Sequence, residues 1–395
     1  MGIFEKPRRS SRSAMNRPER FGAPIYVTRP VLPSRETLLG HLDDLWTSRV
    51  LSNQGPKHRW LEQELRAVMH VQNLTLFSNG TLALLLGLRA LGIRGEVITT
   101  PFTFPATPHA VAWSGGTLVF CDVDPVTLCI DPAAIEEMIT PRTEAILGVH
   151  VYGLPCDVES IQKIADRHGL KVVYDAAHAF LTEIHGQPIG CFGDLSMFSF
   201  HATKLFHTVE GGCLVYRDAS LGPKLDLLKN FGIQDENSVL VEGLNAKLNE
   251  VQSAVGLAMI NEIEPERARR DAIRRRYFER LAEIEGLSCF VLPEGVRDSL
   301  QYMPVRVDAP QFGLSRDEVY RELLAFNVYS RKYFFPLCTD YVPYKNARSG
   351  DIPNALAAAN EVLCLPFYGD MGLDAVDRIA DMLLYIHASA SGARV

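Results

Sequence analysis

The sequence predicts an α/β protein built on a mostly parallel sheet, and three observations carry that reading. Between about Thr75 and Arg217, short runs of β-branched and apolar residues alternate with stretches of helical spacing. The helical stretches open on residues that cap helices, as Asp157 does before Val158. After Tyr216 the alternation gives way to a long, charged helical stretch followed by shorter elements, the mark of a second, smaller unit.

The elements follow in order. Strands are expected at Val97–Thr100, Leu118–Cys121, Ala145–Val151, Val172–Asp175, Ser196–Phe200 and Cys213–Tyr216. Helices are expected at Thr81–Leu91, Pro132–Ile139 and Val158–Arg167, then one long helix from Glu250 to about Ile284. Its charged runs, Glu266-Arg-Ala-Arg-Arg-Asp and Arg274–Arg276, read as a solvated face. Beyond it come a strand at Gln301–Val307, a helix at Arg316–Phe326 and a closing helix at Leu373–His387. The chain then divides into a loose tail (1–25), a large α/β domain (26–262) and a small α+β domain (263–395).

Composition narrows the function. The 395 residues are 47% hydrophobic and carry a net charge of −7, which disfavours partners such as duplex DNA or an anionic membrane. Eight cysteines lie scattered with no CxxC pair, so they read as reduced, mostly buried thiols and offer neither zinc nor iron–sulfur spacing; no metal is expected. The arginine- and proline-bearing N-terminus lacks the apolar core of an export signal, and Lys6 stands where a myristoylation site needs Ser or Thr. The longest apolar run, Leu82 to Leu91, is interrupted by Arg89 and too short to cross a bilayer, so the expected location is the cytoplasm. No P-loop, HExxH or GxSxG is present.

Four features fall at strand ends or before helices, where open α/β sheets bind ligands. Ser78-Asn79-Gly80-Thr81 opens an apolar helix whose free N–H groups and added hydroxyl suit a phosphate, though alone it is more readily a plain cap. Asp175 closes an apolar strand and puts a carboxylate at the sheet edge, with His178 one helical step on; a capping role explains such an Asp equally well. In Ser196-Met-Phe-Ser199-Phe-His201-Ala-Thr-Lys204, a lysine emerges just after a buried strand, where desolvation lowers its pKa and frees the amine to attack a carbonyl. The bland alternative is a surface loop lysine. Phe104, in Thr100-Pro-Phe-Thr-Phe104, offers a flat ring to a planar heterocycle, or simply a core aromatic. Together they make a phosphate cradle, a stacking ring, an acid for a ring nitrogen and a lysine for an imine, the set that pyridoxal phosphate requires.

The motifs NGTLAL, TTPFTFPAT, VYDAAHA, FSFHATKLFHTVEGG and GLNAKLNEVQSAVGL resemble, in order and spacing, the DegT/DnrJ/EryC1/StrS family of sugar aminotransferases, a branch of the fold-type-I pyridoxal-phosphate enzymes. The resemblance runs from about Tyr26 to the C-terminus and implies a seven-stranded, mostly parallel sheet with a smaller α+β domain. It implies that Lys204 forms the imine and shuttles the proton, and that Asp175 partners the pyridine nitrogen. His178 takes a place beside the ring and its phenolic oxygen, Phe104 stacks, and Gly80, Thr81 and Ser199 hold the phosphate. Asn245 matches an asparagine that reaches the phosphate from a neighbouring subunit, which implies a homodimer with shared sites.

Two departures bear on the substrate side: His178 and Lys247 stand where many members have Gln and Arg. The segment Tyr329-Ser-Arg331-Lys332-Tyr333 resembles the family's aromatic, basic loop near the sugar nucleotide, although Arg331 and Lys332 read equally as a plain surface pair. The implied reaction has two halves: L-glutamate gives its amino group to the cofactor, and the pyridoxamine 5′-phosphate form passes it to a nucleotide-linked keto-sugar. The wording is most similar to enzymes acting on dTDP-4-keto-6-deoxyglucose, so amination at C4 is expected. The rivals are amination at C3, a dehydratase relative, which the presence of Lys204 disfavours, and a non-catalytic protein on the same fold.

Overall fold

The structure, a computed structural model of the chain, describes residues 16–390. Its largest sheet has eight strands in the order Arg348–Ser349, Thr117–Phe120, Glu96–Thr99, Thr143–Val149, Lys171–Asp175, Leu195–Ser199, Gly212–Tyr216 and Leu74–Phe77. All neighbours run parallel except Gly212–Tyr216, which is antiparallel to both of its partners. The two-residue strand Arg348–Ser349 is thus an addition to the expected seven. Strands such as Lys171–Asp175 are buried on both faces, which is why they read as continuous apolar runs instead of alternating ones.

Several helices begin where the N-cap side chain satisfies a first-turn N–H group. Asn79 accepts from Leu82 N at 2.8 Å, Asp157 from Ser160 N at 3.0 Å and Asn249 from Gln252 N at 2.9 Å. Each such cap fixes the direction in which a helix leaves its loop. For the Gly80–Ala90 helix that direction sets its N-terminus against the ends of Leu195–Ser199 and Gly212–Tyr216.

A second core is built on the three-stranded antiparallel sheet Leu287–Cys289, Met303–Val307 and Val362–Leu365. Val305, Phe312, Val319, Leu363 and Ile379 are fully buried within it. Among the described residues, no helix is long and apolar enough to cross a membrane, and no group of three or more His, Cys, Asp or Glu is placed to hold a metal.

Three expectations need correction. The helix expected from Glu250 to about Ile284 is two helices, Glu250–Ile260 and Ile263–Leu281, because Pro265 clashes with the carbonyl four residues back and cannot continue the first. The charged runs in the second of these form a solvated face only in part: Arg269 and Arg275 are exposed, but Glu266, Arg267 and Arg270 are buried. Glu266 accepts from Arg270 Nε at 2.6 Å and from Gly369 N at 2.9 Å, while Arg270 Nη1 donates to Leu300 O at 3.2 Å. Buried charges persist only where they are paired in this way. Finally, the tail expected over 1–25 falls partly outside the described residues, and its last part is packed. Phe21 is buried, its N–H donates to Phe326 O at 3.1 Å, and the Arg378 guanidinium lies 3.9 Å from its ring centroid.

The Pro56–Val68 helix is capped from outside. Gly55, its N-cap, has no side chain to offer, and the buried Glu250 carboxylate accepts from Lys57 N at 2.8 Å and His58 N at 3.0 Å. Glu250→Ala is expected to lower stability by about 3 kcal/mol, since two buried donors lose a charged acceptor. Urea unfolding measures this, and an unchanged midpoint would reject Glu250 as the cap.

Candidate active site

The carboxyl ends of the parallel strands open onto a cavity of about 470 Å³. Lys171–Asp175, at the middle of the sheet, delivers Asp175 to its floor. Asp175 is 4% exposed and has no ion pair among the described residues. Its Oδ2 accepts from Thr107 Oγ1 at 2.8 Å and its Oδ1 from Ala177 N at 3.1 Å. Burial pushes the Asp175 carboxyl above its usual value; the Thr107 hydroxyl, the Ala177 amide and the Lys204 charge oppose that push and do not overcome it. Such a carboxylate is short of a cationic partner, and a protonated ring nitrogen supplies one.

The next strand, Leu195–Ser199, leads through a turn to Lys204, whose N–H donates to His201 O at 2.8 Å. The Lys204 ammonium lies 5.7 Å from the centroid of the Tyr302 ring. Desolvation lowers its pKa from the ordinary lysine value to about 8, with Asp175 pulling the other way. An amine so held is available as a nucleophile near neutral pH.

His178 completes the floor. Its ring is parallel to Phe334 at 5.9 Å and edge-on to Tyr302 at 4.8 Å. Nδ1 accepts from Tyr152 N at 3.3 Å, so the ring proton resides on Nε2. Burial, reinforced by the Lys204 charge, holds the imidazole neutral, and His178 is therefore a hydrogen-bond donor of fixed tautomer.

At the far end, Gly80 and Thr81 form the first turn of a helix whose N–H groups at those positions have no intrahelical acceptor. Gly80 has to be glycine: a Cβ there would lie 2.9 Å from Met197 Sδ and 3.2 Å from Ser199 Cβ. Gly212 meets the same limit from the other side, since its Cβ would lie 2.7 Å from Gly80 N. The result is a narrow cradle of N–H groups and the Thr81 and Ser199 hydroxyls along one wall of the cavity, suited to a phosphate. Phe104 lines the mouth with its ring half exposed.

The structure thus brings Lys204, Asp175, His178, Gly80, Thr81, Ser199 and Phe104 into one cavity, together with Arg331 and Tyr333. Asn245 and Lys247 lie outside it. Asn245 pairs with Asn230 through the backbone, and the Lys247 amine donates to Asn230 Oδ1 at 2.7 Å, 5.0 Å from the centroid of the Phe231 ring. Lys332 also turns away, ion-paired with Asp317 at 3.2 Å. Sequence reasoning gave no role to Thr107, Tyr302 or Phe334. Thr107 stood inside a quoted motif, but only its contact with Asp175 marks it; Tyr302 and Phe334 come from the C-terminal part of the chain and are buried in the main core.

The donor set fits the group the residues suggested: an acid and an amine on one floor, a flat aromatic at the mouth and an anion cradle at the end. Fold and site together define a fold-type-I pyridoxal-phosphate enzyme. The model of the DegT/DnrJ/EryC1/StrS aminotransferase family matches residues 34–384, and the chain belongs to that family. It is 42% identical over 362 residues to dTDP-4-amino-4,6-dideoxy-D-glucose transaminase of Shigella dysenteriae, covering 91% of this chain and 98% of the relative. Among solved structures, DesI in the presence of its TDP-sugar product matches with TM-score 0.90 and 37% identity over 95% of each chain. NtdA from Bacillus subtilis with bound cofactor PMP matches with TM-score 0.81 and 28% identity, over 89% of this chain and 81% of that one. The cofactor is pyridoxal 5′-phosphate, with the pyridoxamine form as its amino-bearing state.

Attachment of the cofactor through the Lys204 amine would be pH-dependent. Only the unprotonated amine attacks the aldehyde, so the initial rate of appearance of the visible imine band in cofactor-free protein should rise with pH, half-maximal near 8. Asp175→Asn removes a charge that stabilises the ammonium and should move that midpoint downward. Stopped-flow absorbance checks both, and a wild-type midpoint near 10 would reject the buried-amine reading.

Proposed function

We propose that the chain transfers an amino group from L-glutamate to C4 of dTDP-4-keto-6-deoxy-D-glucose, forming dTDP-4-amino-4,6-dideoxy-D-glucose. The observation that carries the chemistry is the convergence of a desolvated lysine and a buried carboxylate in one cavity beside an anion cradle. The transaminase named above, alike over nearly its whole length, supports the choice of substrate.

When bound, pyridoxal phosphate supplies an electron sink that stabilises negative charge on the carbon losing its proton. The chain's own residues do the rest. Asp175 keeps a proton on the ring nitrogen, which maintains that sink. His178 Nε2–H would donate to the phenolic oxygen, Phe104 would cover one ring face, and Gly80, Thr81 and Ser199 would hold the phosphate. Lys204 Nζ would carry the proton between the two reacting carbons in both halves of the cycle. Arg331, which has no acidic partner among the described residues and lines the cavity beside Tyr333, offers its guanidinium to the substrate's diphosphate. The free, mostly buried cysteines suit a reducing compartment, in keeping with a cytoplasmic enzyme.

We infer a homodimer as the working unit. Phe231, Val239, Leu240 and Leu244 expose apolar surface around Asn245 and Lys247, and a second copy covering that face would bring both residues toward the neighbouring site.

The test begins with an absorbance spectrum of the holoenzyme. L-glutamate should bleach the imine band, dTDP-4-keto-6-deoxyglucose should restore it, and NMR of the product should place the nitrogen on C4. Nitrogen on C3 would overturn the assignment of position, and no band with added cofactor would overturn the enzyme reading. Lys204→Ala should lose turnover by at least about 10³-fold.

Shared sites make a separate prediction. Lys204→Ala and Asn245→Ala subunits, each impaired alone, should recover about a quarter of wild-type sites when unfolded and refolded together, because half of each mixed dimer is intact. Activity no higher than the mean of the two variants would mean that Asn245 serves its own chain.

A further inference from the structure

Lys204 sits on a short turn, and its two peptide neighbours are held by one side chain from far along the sequence. The Leu205 N–H donates to Gln301 Oε1 at 3.0 Å, and Gln301 Nε2 donates to the Thr203 carbonyl at 3.1 Å. Neither backbone group has another hydrogen-bond partner among the described residues. Gln301 is 3% exposed, so both bonds are made away from water, where an unmet donor or acceptor is costly.

The geometry is a two-point hold. A single bond to one side of Lys204 would leave the turn free to rotate about it; bonds to the carbonyl before and the N–H after fix the plane of the turn. With it they fix the direction in which the Lys204 side chain leaves the backbone. Gln301 is itself anchored, two residues before the Met303–Val307 strand of the second core, and its neighbour Tyr302 faces the Lys204 ammonium. The second core thus holds the turn that bears the reactive amine.

We propose that Gln301 is a positioning residue that aims the Lys204 amine at the reacting carbons by clamping Thr203 and Leu205. The proposal rests on Lys204 being the imine-forming lysine. Amide geometry is needed for it, because one side chain must accept at one atom and donate at the other. Leucine matches glutamine roughly in size and supplies neither atom. Glutamate keeps an acceptor for Leu205 N–H and sets an oxygen against the Thr203 carbonyl.

The experiment compares wild-type, Gln301→Leu and Gln301→Glu holoenzymes by absorbance titration of the imine band, by steady-state kinetics and by thermal unfolding. A loosened turn admits water to the imine nitrogen, which favours its protonated form, so the titration midpoint should rise by about one pH unit in the leucine variant. The kcat should fall about 10-fold to 100-fold, while KM for both substrates stays within about 3-fold, as expected for misaimed reacting atoms with an intact binding surface. The glutamate variant should shift the midpoint in the same direction by a smaller amount. A folded leucine variant with the wild-type midpoint and kcat overturns the proposal. If the leucine variant does not fold, a wild-type midpoint in Gln301→Glu overturns it equally. A wild-type enzyme without an imine band would instead remove the assignment of Lys204, and this inference with it.

Discussion

The organising constraint in this protein is a carboxyl group held out of water at the end of a central strand. Asp175 ends the middle strand of the sheet, closed in by Thr143–Val149 on one side and Leu195–Ser199 on the other. Burying such a group costs several kcal/mol unless donors and opposite charge meet it. The fold meets that cost piecemeal. Thr107 comes from the helix Ala106–Ser114 and Ala177 from Asp175's own turn, while the Lys204 charge comes from the loop after the neighbouring strand. The burial still unmet is what fits the site to a cationic heterocycle, so the geometry around one oxygen pair explains why three elements converge there.

Much of this was legible in the sequence, because parallel strands buried on both faces announce themselves as apolar runs and their carboxyl ends share one edge. The expected strands around Val97, Val172 and Ser196 fall within a residue of the observed ones. Leu74–Phe77 was missed as a strand. It pairs antiparallel with Gly212–Tyr216 at the edge of the sheet, and four residues leading straight into the Asn79 cap leave no turn to separate them. The helix Ala106–Ser114 escaped for another reason: Pro105 and Pro108 punctuate it, and its small apolar residues give no amphipathic stripe.

The site divides along the same line. Lys204, Asp175, His178 and the Gly80 turn sit at strand and helix ends, positions that sequence spacing reports. Thr107 meets Asp175 across 68 residues, Tyr302 and Phe334 reach the cavity from beyond residue 300, and Gln301 reaches the turn that bears Lys204 from the same region. Long-range packing of this kind leaves no periodic trace, and a hydroxyl such as that of Thr107 carries no local sign of whom it will bond. The helix Ile263–Leu281 taught the converse lesson: the same charged residues that suit a solvated face also suit a buried pair, and composition does not distinguish the two.

That buried pair also limits how the protein can change over generations. Glu266 and Arg270 face each other at 2.6 Å with both side chains 1% exposed, and Glu266 additionally holds the backbone of Gly369. Losing Glu266 strands Arg270, which has no other acidic partner among the described residues, at a cost of about 3–5 kcal/mol, a large share of a typical domain's stability, whereas losing Arg270 leaves Glu266 paired with Arg269 at 2.9 Å. Exchanging both together for well-packed apolar residues carries no such penalty. Drift at these two positions is therefore directional: the step that removes Glu266 before Arg270 is the one most exposed to selection.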